Sequence, residues 1–474
     1  MNSEDFRSYA HEMVDWMVDY FDNIEKLPVT PKVKPGDIKN SLPDAAPDSG
    51  EGMDQIFKDF KEKILPGMTH WQHPGFFGYF PATNSKPSVL AEMLTSTMGA
   101  QCMIWLTSPA AAELEEVVMN WLKKMIGLPE SFTGVIQDTA STATLCAILT
   151  AREKQSSFKI NQSGFDGNEQ YVVYCSEHAH SSVDKAVKIA GIGLENLVKI
   201  EVDGTFAMQP AKLKARIIQD IAAGKQPLCV VAAIGTTSST AIDPLEEIGK
   251  ICNQHQIWLH VDGAYAGSAL VLPEMRWMIK GMEMADSFVF NPHKWMFTNF
   301  DCSAYFVKDP QTLINTFTIT PEYLKTAADN EVNNYRDWGI QLGRRFRALK
   351  LWFVIRSYGV EGLQKKFRHY LQLAQWFKNQ VEQSEDFELL APVPLSTVCF
   401  RYAPKNLTNK EEINRLNEHL LKEINKHDQI FLTHTKLNNK YTIRLAIGQT
   451  ETTDKHVRQA WEIIREAGLL ARSS

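Results

Sequence analysis

Apolar and polar positions alternate along this chain in two rhythms. Near the start the period is helical: Phe6, Met13, Met17 and Phe21 return to one face over residues 3–24. Ser3 is placed to cap that helix, and Glu4 and Asp5 favour its positive end. A polar stretch follows, VKPGDIKNSLPDAAPDSGEGMD, rich in proline, glycine and aspartate. An amphipathic helix tethered through such a linker cannot hide its apolar face alone. It is expected to pack on the main body or on a second subunit, and the second option points to a dimer.

From about residue 112 the second rhythm sets in. ELEEVVMNWLKKMIG reads as a helix stopped by Gly127. YVVYC, LVKIEV, LCVVAAI, IWLHVD and SFVF are short runs rich in Val and Ile, with helical segments such as DPLEEIGKICNQHQ between several of them. That alternation predicts an α/β fold with a mainly parallel sheet covered on both faces. A polar loop is expected near 155–170, and RRFRALKLWFVIRSYG, around residue 345, begins a helix leading into a smaller last α/β domain. Ligands of open parallel sheets collect at the carboxyl ends of the strands. Four such ends carry polar residues here: Glu177 to His180, Gly235 to Thr237, Asp262 to Ala264, and His293 with Lys294.

Composition narrows the function classes. Fifty Lys and Arg against 56 Asp and Glu give a net charge of -6, so neither a nucleic-acid surface nor a polybasic membrane patch is expected. No run of about 18 uncharged apolar residues suggests a membrane span, and the acidic, amphipathic start is unlike a secretory signal. The seven cysteines are scattered, mostly in apolar segments, which predicts reduced thiols in a cytoplasmic protein.

The chemistry starts from FNPHKW. A loop lysine is ordinarily a solvated charge, but Lys294 stands among Phe290, Trp295 and Met296. Partial desolvation there would lower its pKa and free the amine to attack a carbonyl. Asp262 ends a strand too apolar to host a carboxylate without a partner. That partner is either a cap or ion pair, or a protonated pyridine nitrogen of the kind pyridoxal phosphate presents. His180, in HAHSS, reads as a cap, as half of a zinc pair with His178, or as an imidazole stacked on a flat ring. In GVIQDTASTATL, the start of a helix offers N–H groups and hydroxyls at Thr139, Ala140 and Ser141 to a phosphate, or simply caps itself. The glycine-rich dinucleotide and nucleoside-triphosphate signatures are absent.

These words in order resemble the group II pyridoxal-phosphate-dependent decarboxylases, specifically the aromatic-L-amino-acid decarboxylases. They include HWQHPGFFGYFPATNS, SPAAAELE, GVIQDTASTATL, HAHSSVDKA, GTTS, WLHVDGAYAGSA, ADSFVFNPHKW, NFDCSA and YRDWGIQLGRRFRALKLWFVIRSYG, from about residue 70 to 360. The resemblance implies the fold-type I transferase architecture: an N-terminal helical dimer arm over residues 1–80, a large cofactor domain with a seven-stranded sheet over 81–355, and a small C-terminal α/β domain over 356–474. It implies pyridoxal 5′-phosphate held as a Schiff base by Lys294, with Asp262 at the pyridine nitrogen, Ala264 against the ring and His180 stacked over it. Ala140, Ser141, Asn291 and His293 match phosphate-binding positions, and Thr237 a cofactor-site threonine. Trp71, Tyr79, Phe80, Pro81 and Thr83 would line an aromatic substrate pocket. Gln101, Met103 and Trp105 would reach that pocket from the partner subunit of a homodimer, and Gly343 leaves space for an indole.

Tyr323, in a polar segment suited to a closing loop, matches the family's tyrosine that supports protonation after carbon dioxide leaves. Aldehyde-forming relatives replace this tyrosine with phenylalanine, or the stacked histidine with asparagine. This chain keeps Tyr323 and His180, which points to simple decarboxylation of tryptophan, tyrosine, phenylalanine or 3,4-dihydroxyphenylalanine. The competing readings are an aldehyde synthase on the same scaffold and a zinc hydrolase built on His178 and His180. Three departures from the family pattern stand out. Asp138 replaces a common glycine beside the phosphate, Gly263 replaces a common alanine and is expected to loosen the packing beneath the ring, and Met103 replaces a frequent aromatic residue.

Overall fold

A computed structural model describes residues 1–319 and 331–471. Its centre is a seven-stranded sheet built from β1 (Thr133–Gln137), β2 (Tyr171–Ser176), β3 (Leu197–Ile200), β4 (Gln226–Ala233), β5 (Trp258–Asp262), β6 (Ser287–Phe290) and β7 (Ser303–Val307). The spatial order is β1-β7-β6-β5-β4-β2-β3. β3, β2, β4, β5 and β6 run parallel, whereas β7 lies antiparallel to both β6 and β1. The central strands are buried on both faces, which is why they read as unbroken apolar runs in the sequence. β1 and β7 were not foreshadowed: TGVIQ runs directly into a helix start, and SAYFV follows a polar turn without alternation.

The reversal of β7 has a topological consequence. Its amino end, not its carboxyl end, joins the carboxyl ends of β1, β4, β5 and β6 at one edge of the sheet. Helices cover both faces. Pro109–Ile126 ends at Gly127 in the left-handed conformation, as expected, and Ala140–Gln155 crosses the sheet after β1. A second sheet of β8 (Phe387–Leu389), β9 (Thr397–Tyr402), β10 (Thr433–Leu437) and β11 (Lys440–Ala446) has the order β10-β11-β9-β8 and is antiparallel throughout. The helical stretch Arg347–Gln383 leads into it and breaks at Gly359, whose φ of 64° and ψ of 170° are open to glycine and costly for other residues.

The first helix spans Ser3–Asn23, but its cap is Asn2 rather than Ser3: the Asn2 side chain accepts from the Glu4 and Asp5 amides. No residue of this helix is buried. Among the described residues, no helix is long and apolar enough to cross a membrane.

Candidate active site

The carboxyl ends of the parallel strands surround a cavity of about 210 Å³. Phe80, Ala140, Ser141, His180, Thr237, Asp262, Ala264, Asn291, His293 and Lys294, all expected from the sequence, line it together. Lys294 is delivered by β6 through Asn291 and the one-turn helix Pro292–Trp295, where the Lys294 amide donates to the Asn291 carbonyl at 2.9 Å. Its ammonium lies 5.2 Å from the Phe80 ring centroid. Desolvation lowers the Lys294 pKa from its ordinary value; the Asp262 carboxylate opposes this and the Arg444 charge adds to it.

Asp262 closes β5, and its Oδ1 accepts the Ala264 amide at 2.9 Å. Oδ2 remains for a cation in the cavity. His180 accepts the Ser182 amide on Nδ1 at 3.1 Å, which leaves the proton on Nε2. Desolvation lowers its pKa, with the Asp262 carboxylate opposing and Lys294 adding. At the opposite end, the Thr139 hydroxyl caps Ala140–Gln155 by accepting the Thr142 amide at 3.3 Å. The Ala140 and Ser141 amides at the helix start, with Asn291 and His293 opposite, form a set of donors suited to an anion. The buried His293 has its pKa pushed down to about 3, by burial first and Lys294 second, so it is neutral in ordinary buffers. Gly235 bends the chain after β4 with φ +83°, and a Cβ there would lie 2.8 Å from that of Ala266.

The donor set fits pyridoxal phosphate. One end offers amide and side-chain N–H groups to a phosphate, the other a carboxylate to a pyridine nitrogen, and a desolvated amine lies between them near an aldehyde's place. His178, in contrast, packs edge-on to Phe206 at 5.3 Å. Among the described residues no three His, Cys, Asp or Glu side chains gather into a metal-holding group.

Other expected residues lie outside this cavity. Trp71 and Tyr79 stack on each other at 5.8 Å, and Pro81 packs near Gly448. Thr83 is buried behind the cavity wall, its amide donating to the His293 carbonyl at 3.2 Å. Gln101, Met103, Trp105 and Gly343 form a separate group. The Arg344 amide donates to Gln101 Oε1 at 2.7 Å, the Arg336 amide to the Met103 carbonyl at 2.9 Å, and the Trp105 amide to Asn334 Oδ1 at 3.0 Å. Tyr323 lies outside the described residues.

Two departures from the family pattern acquire a physical reading. Asp138 does not line the cavity: its carboxylate accepts the Thr139 amide at 2.6 Å and Gln341 Nε2 at 2.9 Å. Gly263 leaves no looseness, because a Cβ there would lie 2.7 Å from the buried Phe288 ring and 3.1 Å from Ile234. Sequence reading missed Tyr265 and Arg444. Tyr265 stacks on Phe80 at 4.1 Å, and Arg444, buried on β11, lies 5.3 Å from the same ring. The tyrosine stood in a recognised word, HVDGAYAG, but nothing near Arg444 marked it out, since only folding brings the second sheet to this edge.

A family model described as the pyridoxal-dependent decarboxylase conserved domain matches residues 35–403. The chain is 45% identical over 476 residues to a phenylacetaldehyde synthase of Arabidopsis thaliana, covering 98% of this chain and 96% of that protein. To tyrosine decarboxylase 2 of Narcissus pseudonarcissus it is 44% identical over 476 residues, covering 98% and 94%. The crystal structure of Oryza sativa TDC with PLP and tryptamine matches with a TM-score of 0.96 at 35% identity, covering 99% of this chain and 98% of that one. With the family's matched region spanning most of the chain and its fold reproduced throughout, this protein belongs to the pyridoxal-dependent decarboxylases.

Proposed function

We propose that this enzyme decarboxylates aromatic L-amino acids, releasing the arylalkylamine and carbon dioxide. The observation that carries the reading is one cavity lined together by a desolvated lysine, a strand-end carboxylate and a set of anion-binding donors. Pyridoxal phosphate, when bound, supplies the electron sink for the pair left when the carboxylate departs. Lys294 would hold the cofactor at its aldehyde end, its lowered proton affinity keeping the amine available for that carbonyl. Asp262 would keep a proton on the pyridine nitrogen, and His180, whose proton is on Nε2, would stack on the ring. Ala140, Ser141, Asn291 and His293 would hold the phosphate, and Thr237 would be a further cofactor contact. Protonation of the substrate carbon falls to Tyr323, assisted by His180.

The aromatic class rests on the Phe80–Tyr265 stack at the cavity wall and on the names of the relatives. Trp71, Tyr79, Pro81 and Thr83 extend the substrate pocket. Gln101, Met103, Trp105 and Gly343 complete it from a second copy in a homodimer. Exposed apolar side chains support that assembly: Leu106 is 61% exposed, Ile340 52% and Leu342 46%, beside the group that holds Gln101. The unburied first helix leaves Phe6 and Val18 for the same partner. The arm, cofactor domain and small domain divide at residues 80 and 355, and the enzyme works in the cytoplasm.

A second reading, oxidative formation of an aldehyde, is kept because a phenylacetaldehyde synthase is among the similar proteins. One assay separates them: each of the four aromatic amino acids is offered, and amine, aldehyde and peroxide are measured together. Stoichiometric amine without peroxide is expected, and peroxide matching carbon dioxide would replace the first reading by the second. Lys294→Ala is expected to abolish turnover, at least a thousandfold below the parent on the order of what losing a covalent catalyst costs. Substantial remaining activity would remove the lysine from the mechanism.

A further inference from the structure

The reversed strand β7 brings its first residue, Ser303, beneath the wall of the active-site cavity, one residue removed from its lining. The register places Ser303 opposite Gln137 of β1, and Ala304 opposite Phe290 of β6. Ser303 therefore sits between the two segments that leave those strands, Asp138–Ala140 and Asn291–Lys294. It is fully buried and does not line the cavity. Its Oγ lies 2.7 Å from Asn291 Oδ1 and 3.2 Å from the Asp138 carbonyl oxygen.

A carboxamide has a donor end and an acceptor end, and only one of them can face a phosphate. Asn291 lines the cavity and is almost wholly buried. With the Ser303 hydroxyl donating to Oδ1 across the shorter contact, Nδ2 is the end left for the cavity. The neighbouring residue repeats the device on His293. The Cys302 amide donates to His293 Nδ1 at 2.9 Å, so the proton must reside on Nε2. Cys302, just before β7, and Ser303, its first residue, thus set the polarity of two cavity donors, His293 and Asn291. Without them, a flipped carboxamide or the other histidine tautomer would present a lone pair to a dianion.

We propose that Ser303 is a positioning residue for the cofactor phosphate, acting by holding the Asn291 carboxamide with its N–H groups toward the anion. The inference rests on the proposed role of Asn291 at the phosphate, so the test reports on the two separately.

The full-length chain is freed of cofactor, and its affinities for pyridoxamine 5′-phosphate and for pyridoxamine are measured by calorimetry or by quenching of protein fluorescence. These probes differ only in the phosphate. Ser303→Ala is expected to weaken binding of the phosphorylated probe about tenfold, the scale of one charge-assisted hydrogen bond, and to leave the other unchanged. Ser303→Thr, which keeps a hydroxyl, should recover most of the loss. In an Asn291→Ala background Ser303→Ala should add nothing, because its effect passes through Asn291. Equal weakening of both probes, an undiminished effect in the Asn291→Ala background, or unchanged affinity for the phosphorylated probe would each overturn the proposal. If Asn291→Ala itself leaves the ratio of the two affinities intact, the assignment of Asn291 to the phosphate fails, and the proposal with it. Should Ser303→Ala not fold, Ser303→Cys, of similar size and a weak donor, takes the same measurements with the same expectations.

Discussion

Gly263 directly follows Asp262, the carboxylate proposed for the pyridine nitrogen, and the space a methyl group would occupy is already filled. A Cβ would lie 2.7 Å from a Phe288 ring that is itself fully buried, so the ring must shift before the methyl fits. In this chain Phe288 and Ile234 fill the space that a methyl group at residue 263 would take. Gly263→Ala is therefore expected to destabilise the protein by about 1–3 kcal/mol through overpacking. Denaturant unfolding measures this, and a stabilised variant would mean that the strand end yields more easily than its packing suggests. Asp138 makes a related point. A carboxylate at a phosphate site is repulsive only if it faces the phosphate, and this one is turned toward Gln341 and the Thr139 amide.

At the scale of elements, the Gln101–Trp105 segment and the stretch around Gly343 depend on one buried ion pair. Arg344 Nη2 donates to Glu115 Oε1 at 2.7 Å and to the Ile136 carbonyl at 2.8 Å, while the Ile136 amide donates to the same Glu115 oxygen at 2.8 Å. The pair joins the helix Pro109–Ile126, strand β1 and the loop before the helix at Arg347, and both side chains are buried. Removing one partner strands the other charge in the interior. Glu115→Ala should lower stability by about 3–5 kcal/mol. The readout is the midpoint of thermal unfolding, and an unchanged midpoint would show that the ion pair adds nothing net to the other contacts that hold these elements.

For the whole molecule, buried neutral histidines set the response to acid. Burial pushes His73 and His260 down to about 4 and His293 to about 3, against an ordinary value of 6.5. Because the folded values are depressed, the unfolded chain takes up protons first as pH falls below about 6.5, and stability is lost progressively until pH passes below the folded values. Asp243, raised to about 6 by burial, acts in the opposite sense between about 4 and 6 and offsets one of the three. Unfolding free energy should therefore fall between pH 6.5 and 4 by about 1.4 kcal/mol per pH unit for each net proton. His260→Gln should flatten that slope, and a slope unaffected by the change would mean that His260 keeps its proton in the fold. Above pH 7 these histidines contribute no slope.

The linear order of residues by itself determined the alternation of helices with apolar strands and the polar residues at four strand ends. It also carried the family words in which Lys294, Asp262 and His180 stand, and from which one shared cofactor site is expected. These are local: an interior parallel strand must be apolar on both faces, and a ligand residue must follow it immediately, so both leave a mark within a few positions. Tertiary structure decided what depends on chain segments meeting. TGVIQ and SAYFV became strands only by pairing with each other and with β6. The reversal of SAYFV placed Cys302 and Ser303 beneath Asn291 and His293, and the second sheet brought Arg444 to Phe80. A hydroxyl that orients a carboxamide twelve residues away, or an arginine from another sheet, has no local period to betray it, because its effect exists only once register and topology have set the distance.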